Sequence, residues 1–124
     1  MRTLGQKRAE FALNKVMELK EKNLSKFKPF SAGAPSMILQ NGFGQALAFW
    51  ASKGKAEHQA MLNIVSGWLC DNVHLVQSTE TPAFLRELST MDQRRYFEAQ
   101  QETLAVLEWV KRYANAFLSS PNTD

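Results

Sequence analysis

The chain is 124 residues long, 44% hydrophobic, with 4 prolines, 6 glycines, one cysteine, a net charge of +3 and a pI near 9.2. That is enough for one globular unit with its own core, and it excludes a disordered segment or a disulfide-stapled scaffold. No run approaches the roughly 20 apolar residues of a membrane span, "MRTLGQKRAEF" lacks the apolar stretch of a secretion signal, and a lone Cys70 suits a reducing compartment, so the expectation is a soluble, cytoplasmic protein.

The first helix is expected from about Thr3 to Lys28, with Leu4, Ala9, Ala12, Leu13, Val16, Leu24 and Phe27 broadly on one side. "KPFSAGAPS" reads as its stop, because Pro29 turns Lys28 away from the α region and Gly33 and Pro35 keep the segment irregular. A second helix is expected from Ala34–Pro35 to Gly54, and a third from about Ala56 to Val76 with Met61, Ile64, Val65, Trp68 and Leu69 on one stripe. "TPAFLREL" predicts a short helix capped by Thr81 with Pro82 in its first position. The last long helix starts after Thr90, where Gln93 offers the reciprocal half of a capping box, and runs to about Leu118. It should bury Tyr96, Leu107, Val110, Tyr113, Ala114 and Phe117. No repeat and no period-two alternation interrupts the series. The prediction is an all-α fold, a compact single-domain bundle of about five helices over residues 1–118, with residues 119–124 as a flexible tail.

The second helix raises a question, because "NGFG" sits inside an apolar run and each interior glycine costs about 0.5–1 kcal/mol relative to alanine. At helical spacing Gly42 lies beside Ala46 on one flank, and Gly44, Ala48 and Ala51 share the other. Two small flanks around a ridge of Leu39, Phe43, Ala46 and Trp50 would let two neighbours approach closely, making this the central helix. Asn41 and Gln45 would then need partners.

Charge is unevenly placed along the chain. Residues 1–28 hold eight Lys/Arg against three Glu, and residues 29–55 add two lysines. Residues 56–108 hold three Arg against eight acids. A basic and an acidic region in one domain suit a polyanion partner, or copies whose unlike ends attract. Solvated faces are the plainer account of the same pattern.

The stretch "MILQNGFGQALAFWASKGK" resembles the small subunit of the type III-B (Cmr) CRISPR effector complex: Met/Ile, a polar pair, Asn-Gly, a spaced Gln, a small-Leu-Ala-Phe run and a terminal Ser-Lys. "YFEAQQETLAVLEWVKRYANAFL" is similar to a second block of that family, and Arg8, Ala9, Ala12 and Val16 to a third. Phe43 and Tyr113 are the departures, standing where leucine and phenylalanine are usual. The resemblance covers nearly the whole chain. It implies a non-enzymatic protein that stacks head to tail with further copies of itself, beside the subunits that hold the guide RNA, and lines the groove for guide and target RNA in antiviral defence.

Arg8, Lys15, Lys22 and Lys26, spaced by seven, seven and four, fall on one strip of the first helix, with Glu10, Glu18 and Glu21 at its other edge. Such a strip suits a phosphate backbone, and equally a solvated face with Glu18–Lys22 as an i,i+4 pair. Lys53 and Lys55 bracket Gly54 in a helix-ending turn, where lysines also complement the helix dipole. As the close of the family-like motif they become the foremost candidates for RNA contact. Lys111 and Arg112 follow Trp109, a basic–aromatic mix compatible with RNA, although Trp109 and Tyr113 at i,i+4 among apolar residues read as core. The candidate nucleic-acid contacts are therefore Arg8, Lys15, Lys22, Lys53, Lys55, Lys111 and Arg112.

Catalytic chemistry has little support. Cys70 and His74 stand at i,i+4 with no third group to orient them, and Glu98 and Glu102 lie near Arg94 and Arg95 as ion-pair partners. There is no Walker loop, HExxH or GxSxG. No catalytic, cofactor or metal residue is assigned. The rival reading is a helical adaptor for another protein, its basic surface incidental.

Overall fold

The computed structural model describes residues 1–120 and contains six α-helices among them: α1 (Leu4–Lys22), α2 (Phe27–Asn41), α3 (Phe43–Lys53), α4 (Ala56–Gly67), α5 (Thr81–Thr90) and α6 (Gln93–Phe117). The all-α bundle holds, and none of these helices is long and apolar enough to cross a membrane. The tail expected from residue 119 lies, apart from Ser119 and Ser120, outside the described residues.

α1 begins with a capping box: Thr3 Oγ1 accepts from Gln6 N–H, and Gln6 Oε1 accepts from Thr3 N–H. It ends at Lys22, earlier than expected, because Asn23 takes a left-handed conformation (φ 56) that closes the helix. The supposed stop at Pro29 is instead the first turn of α2, a position where proline costs little. Pro35 is inside the same helix and removes one backbone donor, a loss of about 3 kcal/mol in an isolated helix. Fully burying Phe27 and Ile38 against the core returns about 1.5–3 kcal/mol each. Packing outweighs propensity here.

The expected second helix is divided. Gly42 has φ 92 and ψ 150, a region essentially closed to other residues, and breaks the chain between α2 and α3. That break makes six helices where periodicity gave five. Gly42 therefore does not serve close packing: nothing lies within 4 Å of where its Cβ would be. Gly44 does, since its Cβ would stand 3.1 Å from Tyr96 Oη. A glycine at the N-cap of α3 has no side chain to take the first free N–H groups, so Gly44 N–H donates to Tyr96 Oη at 2.8 Å, a cap supplied from α6. Of the supposed ridge, Phe43, Ala46 and Trp50 are buried and Leu39 is not; Asn41 and Gln45 face solvent.

α4 carries its predicted stripe into the core and passes into a π-helical turn, Trp68–Asn72. α5 is capped by Glu80, whose carboxylate accepts from Ala83 N–H, which puts Thr81 and Pro82 inside the first turn. α6 is capped by Asp92, accepting from Arg95 N–H at 2.9 Å, so the Thr90–Gln93 box does not form. Thr90 still ends α5, its hydroxyl donating back to the Arg86 carbonyl. Leu107, Val110 and Ala114 are buried as predicted, Tyr96 and Tyr113 only partly, and Phe117 is 42% exposed. The core is centred on Trp50, Trp68, Phe27, Phe43 and Phe84.

Candidate nucleic-acid interface

Helix directions decide where the charges meet. Arg8 pairs with Glu102, and Leu19–Leu24 share a cleft with Phe117–Ser119, so α1 and α6 run parallel. Phe11 meets Trp68 while Lys22 and Leu24 face Ala56, so α4 runs opposite to α1. Lys28, Pro29 and Ala32 of α2 line a cleft with Glu108, Lys111 and Arg112, whereas Phe43 beyond its far end meets Tyr96. Phe30 touches both Trp50 and His58, which brings the end of α3 and the start of α4 to the same place.

Five helix termini therefore gather at one end of the bundle. Residues 15–28, 53–58 and 108–118, which compose it, hold nine Lys/Arg against four Asp/Glu. The rest of the described chain holds six against seven. Basic residues separated by up to 97 positions are neighbours by region, and the sequence offered no way to see that.

Lys53 occupies the last turn of α3, Gly54 closes it in the left-handed region (φ 64), and Lys55 begins α4 extended. The tight turn presents both lysines to solvent. Lys53 Nζ lies 5.2 Å over the Phe49 ring. Lys15 and Lys22 line the groove between α1 and α4 with Glu18, Gln59 and Asn63; Lys15 Nζ is 3.9 Å from Glu18 and 5.5 Å over the Phe11 ring. Lys111 and Arg112 line the α2–α6 cleft, with Glu108 and the unpredicted Lys28. Reading Pro29 as a stop hides Lys28; proline's preference for first turns is the signal that reveals it.

Arg8 departs from the strip. Its guanidinium forms a two-pronged pair with Glu102, Nε to Oε1 at 3.1 Å and Nη2 to Oε2 at 2.7 Å, with both side chains about four-fifths covered. Trp68 Nε1–H donates to the same carboxylate at 3.0 Å. Burial alone would raise the Glu102 pKa, but the hydrogen bonds from Arg8 and Trp68, with the Arg8 charge, hold it below the usual carboxylate range. Arg8 is a clasp between helices, already neutralised, and the strip reduces to lysines. Glu98 pairs loosely with Arg94 at 3.7 Å, as expected for a surface pair.

Cys70 and His74 do not form a dyad. The His74 ring bonds the Cys70 carbonyl at 3.1 Å, and the thiol pKa is raised, first by desolvation and then by Asp71. That disfavours a thiolate nucleophile. Among the described residues no group of three or more His, Cys, Asp or Glu could hold a metal ion.

Fold and charge map together define a class: a small all-α protein whose helices bring nine of its fifteen basic residues to one end. Residues 4–117 match the family described as CRISPR-associated protein (Cas_Cmr5), and the chain belongs to that family. It is 29% identical over 119 residues to the CRISPR system Cmr subunit Cmr5 of Thermus thermophilus, covering 95% of this chain and 98% of that one. Against the subunit of the same name from Thermotoga maritima it is 29% identical over 125 residues, covering 100% and 92%. The X-ray crystal structure of a CRISPR-associated Cmr5 family protein, also from Thermus thermophilus, superposes with a TM-score of 0.81 at 28% identity, over 96% of this chain and 100% of that one.

Proposed function

We propose that the chain is the non-catalytic small subunit of a type III-B CRISPR ribonucleoprotein effector complex in the cytoplasm. In this reading it stacks head to tail with further copies beside the subunits that hold the guide RNA, and lines the groove for guide and target RNA in antiviral defence. One observation carries the RNA part: eight lysines and an arginine from α1, α2, α3, the start of α4 and α6 collect at one end against four acids. Lys26 and Lys28 even stand at the N-terminus of α2, where the helix dipole already places positive charge. That arrangement costs a few tenths of a kcal/mol, which a nearby phosphate offsets. The contacts assigned to RNA are Lys15, Lys22, Lys53, Lys55, Lys111 and Arg112, now with Lys28 and without Arg8.

The test is recovery of the tagged chain from its native host. Other Cmr subunits and RNA should return with it in fixed proportion. A chain that returns alone, or with proteins of no CRISPR system, contradicts the reading.

A further inference from the structure

The break at Gly42 creates a feature that the lysines do not use. It folds the end of α2 beside the start of α3, leaving an open cleft lined by Met37, Gln40, Asn41, Gln45, Ala46 and Phe49. Phe49 keeps 46% of its area exposed and so offers part of its ring to the cleft. The amides of Gln40, Asn41 and Gln45 are exposed and have no partner within the described protein. Lys53, one turn beyond Phe49, holds its ammonium 5.2 Å over the ring.

We propose that this cleft is a stacking site for one base of single-stranded RNA, with the base on Phe49, its edge toward Asn41 and Gln45, and its phosphate toward Lys53. The Lys53 ammonium, which lies over the ring in the free protein, swings to the phosphate as the base takes its place. An aromatic ring, a cation on a flexible stem and unpartnered amides are the chemistry that takes a flat, hydrogen-bonding ring carrying a negative charge. Gln45, Phe49 and Lys53 succeed one another at four-residue intervals, about 6 Å apart along the helix, so amide, ring and charge lie within reach of one nucleotide. The site continues the basic end along α3. It rests on the RNA-lining function proposed above and adds a contact that salt does not screen.

The full-length chain, isotope-labelled, is titrated with a single-stranded RNA decamer of mixed sequence and followed by NMR across a salt series. The side-chain amide signals of Asn41 and Gln45 and the ring signals of Phe49 should shift. Phe49→Ala should weaken binding about tenfold at every salt concentration, leaving the salt slope unchanged, and Phe49→Trp should restore it. Reversal of Lys53 and Lys55 should instead flatten the slope. If RNA moves only signals near the lysines and Phe49→Ala binds as the wild type does, the stacking site is wrong while the lysine reading stands. If RNA binds nowhere on the chain, both fall. If Phe49→Ala leaves RNA binding intact but loses incorporation with the other Cmr subunits, the cleft is a protein contact and the stacking site is again wrong.

Discussion

Glu102 receives two hydrogen bonds from Arg8 and one from Trp68, joining α1, α6 and the π-helical turn through a single carboxylate. Glu102→Ala strands a guanidinium and an indole N–H, and should cost about 2–3 kcal/mol in urea unfolding. Because its folded pKa is lowered, the stabilisation is complete above the unfolded carboxylate value, roughly 4.3, and is lost as pH falls through the lower folded value. Unfolding of Glu102→Gln should lack that acid-side component; an unchanged profile would show that the pair contributes nothing. Arg8→Ala should lower stability yet leave the salt dependence of RNA binding alone. The sequence offered Arg8 as one more member of a basic strip because its partner stands 94 positions away, and no helical spacing reports a contact of that range.

At the scale of the element, the two glycines of "NGFG" do different work, and the difference is measurable. Gly44→Ala brings a methyl within 3.1 Å of Tyr96 Oη and should destabilise by about 1–2 kcal/mol in spite of alanine's better helix propensity. Tyr96→Phe removes the obstructing oxygen, so adding Gly44→Ala to it should cost little or even stabilise. Additive losses in that double-mutant cycle would contradict the contact. Gly42→Ala should cost about 1–3 kcal/mol through its backbone alone, since the space around it is open. Periodicity located the apolar faces of α4 and α6 well, because buried residues such as Val65 and Val110 recur at helical spacing whatever the ends do. In α1 it found Ala12 and Val16 but included Leu4, which is 42% exposed, and missed the buried Leu19. It placed the ends poorly. Asn23 and Gly42 stop helices through positive φ, and Pro29 and Pro35 lie inside one; proline's preference for first turns covers Pro29, whereas Pro35 is held mid-helix by the packing around it.

For the whole molecule, charge counts along the chain showed that a basic and an acidic part exist. Only the helix directions show that residues 15–28, 53–58 and 108–118 form one end. The rest of the described chain holds six basic residues against seven acids, close to neutral beside a strongly basic end, so head-to-tail copies should attract only weakly. Sedimentation should find a monomer when dilute, with self-association at high concentration that salt abolishes. A tight, salt-insensitive two-fold dimer would contradict a stacking subunit. The central claim is that the basic end faces RNA, and an assembled complex repeats its contacts along the strand. The most direct measurement is target-RNA affinity of the reconstituted complex across a salt series, wild type against a variant with Lys15, Lys22, Lys53 and Lys55 all changed to Glu. The variant should fold and assemble, bind more weakly whatever the target sequence, and show a log–log salt slope smaller by about 3 for each copy in contact. Equal affinity and equal slope would mean that these lysines only meet solvent.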